Sequence, residues 1–135
     1  MTVLADYRID KSVPCTTRRD LAAILPLSMR ADAEDYLLHQ SRFAAALRLL
    51  ACVDSIRWEP AVTGSRIDAW VLLAAVDPHR SYEDRDRVLV EAAASFANPD
   101  GVHIPMACMA ERFCDDEDFA ILLDALRIAR EGLHS

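Results

Sequence analysis

A chain of 135 residues, 53% hydrophobic and 27% charged, is long enough to close a core without cross-links, and its net charge of −7 opposes binding to nucleic acid by phosphate neutralisation. Arg, Asp or Glu interrupt every apolar stretch before the ~20 residues a membrane span needs, and Asp6, Arg8 and Asp10 replace the basic start and apolar core of an export signal. The expected protein is therefore cytoplasmic, makes no membrane contact, and keeps its four cysteines, Cys15, Cys52, Cys108 and Cys114, as reduced thiols.

In chain order, residues 2–9 alternate Val3, Ala5, Tyr7 and Ile9 against polar residues, which is a strand-like period. Thr17 with Asp20 predicts a capped helix over 17–25, stopped by Pro26. Tyr36, Phe43, Leu47 and Leu50, flanked by Leu37, Ala44 and Ala51, form the stripe of an amphipathic helix over 31–54. Residues 56–58 allow a second short strand, and Pro60 and Gly64 are expected to keep the next connection irregular.

Ser65 with Asp68 predicts a helix over 66–76, although the run 69–76 is apolar throughout and its period fits a buried strand as well. Ser81 with Asp84 opens a helix over 82–97, stopped by the turn sequence Asn98-Pro99-Asp100-Gly101. A helix over 105–113 follows, then one over 116–131 in which Asp115 caps, Asp118 reciprocates and Gly132 terminates. Phe119, Leu122, Leu123, Leu126 and Ala129 make one face of that last helix, widened by Ile121, Ala125 and Ile128. A polar strip from Glu117 through Asp124 and Arg127 to Glu131 remains. The predicted fold is all-α, a single-domain bundle of about five to six helices over 1–135 with room for a short N-terminal strand or small hairpin; α+β is the fallback.

Chemistry is sparse. Three glycines, Gly64, Gly101 and Gly132, sit at helix boundaries, which excludes dinucleotide turns, phosphate cradles and nucleophile elbows built on glycine. His103, Met106, Cys108, Met109 and Cys114 are soft-metal ligands crowded together, but on one helix Cys108 and Cys114 diverge by about 120°. No metal and no cofactor are expected. Cys15, whose thiolate the helix start and Arg18 and Arg19 would favour, is the nucleophile candidate; His79 and His103 are the acid-base candidates. His39 follows Asp35 by four residues, the spacing of a surface ion pair.

Many acids, including Asp20, Asp32, Glu34, Asp35, Asp68, Glu83, Asp84 and residues 115–118, fall at predicted helix starts, where capping accounts for them. Asp116 and Glu117 have no such assignment and are expected to face solvent. Trp58, beside Pro60 in a loop, is either a binding anchor or a lid on the core. The expected function is macromolecular binding, as an adaptor, accessory subunit or inhibitor, through apolar helix faces and an acidic surface. Trp58, Pro60, Asp116 and Glu117 are the candidate contacts, and a basic protein or a second copy in a homodimer is the candidate partner. The alternative is a small helical enzyme or small-molecule sensor using Cys15, His79 or His103.

Overall fold

A computed structural model describes residues 10–29, 40–113 and 115–134. The expected strand over 2–9, the start of the long second helix with its Asp35–His39 pair, and Cys114 lie outside the described residues. Six α-helices are described: α1 (Arg18–Ile24), α2 (Ser41–Leu50), α3 (Ala69–Ala74), α4 (Arg85–Ala97), α5 (Met106–Arg112) and α6 (Asp116–Glu131). A short 3-10 turn, Glu59–Ala61, leads into a two-stranded antiparallel hairpin of β1 (Val62–Thr63) and β2 (Arg66–Ile67). No described helix is long and apolar enough to cross a membrane.

Helix α2 is the hub. Every residue from Phe43 to Leu50 is buried, and α2 packs against both α4 and α6. Alanines make that possible: Ala44, Ala45 and Ala46 on α2 and Ala92, Ala93 and Ala94 on α4 are all buried, and small side chains let helix backbones approach closely. Helices α3 and α5 pack on the other sides of α4. Trp58 is 3% exposed and belongs to this core, whereas Pro60 is exposed. Trp58 thus lids the core and offers no free surface as a binding anchor.

The helix starts are carried by capping, with one systematic displacement. Thr17 and Asp20 form the expected reciprocal box at α1. For α3 and α4, the second acid of each Ser-x-x-Asp unit is the cap: Asp68 accepts from the N–H groups of Trp70 and Val71, and Asp84 from that of Arg87. The helices therefore begin three residues later than predicted: Ser and Asp are comparable caps, so either residue of each unit can open a helix, and here the aspartate does. Asp115 caps α6 through the Glu117 N–H, but Asp118 does not reach back and pairs instead with Arg85.

Ser65 is released to do something else. Pairing of Val62 with Ile67 and Thr63 with Arg66 leaves a two-residue loop, Gly64-Ser65, in which only Gly64 has positive φ (+61°). Glycine at the first loop position is the signature of a type II′ turn, whose twist suits a hairpin. The hairpin thus forms in the stretch expected to be irregular, while residues 56–58 form no strand.

Helix α6 is rotated from its expected orientation. Its buried side is Ile121, Leu122, Asp124, Ala125 and Ile128, so Asp124 leaves the polar strip for the interior. Phe119, Leu123 and Leu126 are instead exposed. Nine apolar residues spread over most of this helix, and the match to α2, not the count of apolar residues, decides which are buried.

The capping assignment makes a direct prediction. Asp68→Ala should cost about 1 kcal/mol in urea denaturation, while Ser65→Ala should cost only a few tenths, because only Asp68 holds the first N–H groups of α3.

Candidate functional site

The charged centre of the molecule is structural. Arg48 is 0% exposed, and its Nε donates to Asp124 Oδ2 at 2.7 Å. Its remaining N–H groups donate to the carbonyls of Lys11 (2.6 Å) and Val13 (3.2 Å) and to Cys52 Sγ (3.2 Å). Asp124 also accepts from the Cys15 N–H at 2.9 Å and from Arg127 at 2.8 Å, and Arg127 donates to the Cys15 carbonyl. The loop 10–17 is thereby fixed to α2 and α6 through its backbone. Burial pushes the Asp124 carboxyl up, but the Cys15 N–H and the guanidiniums of Arg48 and Arg127 outweigh it and hold the pKa below the ordinary value.

Two further polar clusters brace the outside of α4. Arg112 donates through two nitrogens to Glu91 (3.0 and 3.1 Å), which also accepts from Arg87 at 2.8 Å. The Tyr82 ring lies against both cations, 3.8 Å from the Arg112 guanidinium carbon and 5.8 Å from that of Arg87. At the start of α4, Asp86 accepts from Ser55 N–H (2.7 Å) and Ser55 Oγ, and Arg85 bridges Asp118 (2.8 Å) and the Cys52 carbonyl (2.8 Å). These are braces between segments, since every charge in them is matched.

The candidate catalytic residues are not assembled. Cys15 is buried, and desolvation pushes its thiol up to about 11, against the expectation of an activated thiolate. The cause is simple: the N–H at Cys15 is spent on Asp124, and the side chain points into the core instead of at the α1 dipole. His79 and His103 are exposed; the backbone N–H of His79 donates to Asp77, and the His103 ring contacts the Asp100 carbonyl. None of the three hydrogen-bonds to another. Among the described residues no three His, Cys, Asp or Glu side chains gather as metal ligands do.

The outer face of α6 is different. Phe119, Leu123 and Leu126 are 36%, 51% and 41% exposed, and their spacing of four and three is that of a helix-pairing seam. Asp116 lies three residues before the seam and Arg130 four after it, both exposed and neither with an ion-pair partner among the described residues. Beside the same helix start runs a groove of about 370 Å³ lined by Asp10, Asp54, Asp115, Glu117 and Asp118, with Lys11 and Arg85 as its cations. Both cations are engaged, Lys11 with the Ala51 carbonyl and Arg85 with Asp118, so the groove presents negative charge. Asp116 and Glu117 are exposed as expected, and the seam residues belong to the wide apolar face that the sequence left open to either the core or a partner.

The buried network tests itself against pH. Asp124 ionises below its ordinary value in the fold, so its stabilisation is present above about pH 4 and is lost as pH falls through the folded pKa. Asp124→Asn should cost about 3 to 5 kcal/mol at neutral pH, since it strands Arg48, and should flatten the acid limb of a stability–pH profile. Iodoacetamide applied to the native protein at pH 8 should modify Cys108, which is partly exposed, well before the buried Cys15 and Cys52. Peptide mapping reads the order; equal rates at Cys15 and Cys108 would contradict the closed loop.

No protein-family model matches this chain, and no curated protein or solved structure does either.

Proposed function

We propose that this chain is a protein-binding module that takes a basic amphipathic helix of another protein along the outer face of α6. The carrying observation is the exposed seam Phe119, Leu123 and Leu126, which the chain's own core leaves uncovered. Aliphatic and aromatic side chains at this spacing fit between those of a second helix. The charge of the occupant follows from the carboxylates at the start of the seam, Asp115, Asp116 and Glu117, and from the acidic groove next to them. A partner with Lys or Arg flanking its apolar stripe gains attraction there and is steered toward it.

This role suits an adaptor, accessory subunit or inhibitor. A second copy is the other occupant that an observation favours: antiparallel pairing of two α6 seams sets Asp116 of one copy against Arg130 of the other. Net charge of −7 on each copy works against that pairing, whereas it works for a basic partner.

The test uses synthetic helices sharing one Leu stripe and flanked by either Lys or Glu, titrated against the intact protein. The Lys-flanked helix should bind saturably, weaken with added salt, and lose affinity at least tenfold with Leu123→Glu, a change at an exposed site. Asp116→Asn with Glu117→Gln should hardly move the melting temperature but should flatten the salt dependence. Equal binding of both helices, or indifference to Leu123→Glu, would defeat the proposal, and a salt-resistant dimer in light scattering would favour the second copy.

A further inference from the structure

A cleft in the described structure lies away from the α6 seam, between the start of α2, the hairpin and the end of α4. Its volume is about 550 Å³, within the range of small-molecule sites. Phe43, Ile67, Phe96 and Ala97 supply apolar wall, and Ser41, Ser65 and Gln40 supply neutral polar groups. Its charged lining is two arginines, Arg42 from α2 and Arg66 from β2, and no described carboxylate lines it.

That pairing stands out against the rest of the chain. Arg48, Arg80, Arg85, Arg87, Arg112 and Arg127 are each matched to a carboxylate, as expected where acids outnumber bases by 22 to 15. Arg42 and Arg66 have no ion-pair partner among the described residues, although they come from two separate elements that the hairpin and α4 hold together. Two guanidiniums lining one cleft that also has an apolar wall match one kind of ligand: an oxyanion head on an apolar body. Each guanidinium offers a planar fork of donors to a carboxylate or phosphate, and the phenyl rings accept the body.

We infer that this cleft is a binding site for a small organic anion, an aromatic or aliphatic carboxylate or phosphate ester, held by Arg42 and Arg66 with its body against Phe43, Ile67 and Phe96. The site is separate from the α6 seam, so a ligand here and a helix there bind independently unless the two are coupled through α2. The proposal does not depend on the protein-binding role.

Calorimetric titration of the intact protein with 1-naphthyl phosphate, 1-naphthoate, 1-naphthol and inorganic phosphate tests it. At least one of the two aromatic anions should saturate the protein at submillimolar concentration; which of them does so identifies the head group. Naphthol and inorganic phosphate should bind much more weakly, since each lacks half of the ligand. Arg42→Gln and Arg66→Gln should each weaken binding about tenfold or more, the loss expected for a charge-assisted hydrogen bond. Both side chains are exposed, and thermal melts should show both variants folded. The paired control Arg19→Gln with Arg57→Gln makes the same change in net charge as the two cleft substitutions together and should leave affinity unchanged. The inference is overturned if neither aromatic anion saturates at millimolar concentration, if naphthol binds as well as the anions, or if the control pair weakens binding as much as the cleft pair.

Discussion

The contact between Arg48 and Asp124 sets the frame of this molecule. An ion pair with both partners buried is costly to desolvate, and it holds only because each remaining donor or acceptor is matched. Matching them requires the loop 10–17 to lie across the ends of both groups, so one charge pair specifies the register of α2 against α6 and the path of the loop together. Apolar side chains in place of the pair would pack the helices as tightly, yet they would leave the carbonyls of Lys11 and Val13 and the N–H of Cys15 with no partner. The pair thus specifies an arrangement more than it strengthens one.

Away from this centre, the fold is braced by arginines at its edges. Helix α5 is short, its buried residue is the charged Arg112, and its attachment to α4 runs through Glu91 and the face of Tyr82. Helix α4 in turn holds the connection after α2 through Asp86 and Arg85. The interior is built of small apolar contacts with long range in sequence, and the perimeter of directional ones, so the perimeter is the more sensitive to ionic strength.

How far the sequence revealed this depends on the kind of signal. Caps are local, and the starts of α1 and α6 and the ends of α4 and α6 were legible from single residues such as Thr17, Asp115, Asn98 and Gly132. The starts of α3 and α4 were displaced because two residues in each Ser-x-x-Asp unit can cap, and local pattern does not rank them. The hairpin was missed because Gly64 reads equally as a break or as a turn. The face of α6 was legible only in part: Ile121, Leu122, Ala125 and Ile128 belong to the apolar set read from the sequence, but that set is wider than the surface α2 covers, so only packing selects the buried ones. Arg48 did carry a signal, as the sole charge within residues 43–53, and such a residue in an otherwise apolar helix implies a buried counter-charge elsewhere. Exposure of Asp116 and Glu117 was legible, whereas the cleft beneath Arg42 and Arg66 depends on elements that meet only in three dimensions.

The closing of the loop has a consequence for how the chain reaches its fold. The N–H and carbonyl of Cys15 are answered by Asp124 and Arg127, more than a hundred residues later, and the backbone of Thr16 and Arg18 pairs with that of His134. During synthesis, α2 exists with a guanidinium that lacks its carboxylate until α6 has been made. Helix α2 can form early, but it cannot be buried early without stranding that charge. The nascent chain is thus held back from premature collapse onto α2, and a product cut short before Asp124 is left unable to close its core and exposed to proteolysis.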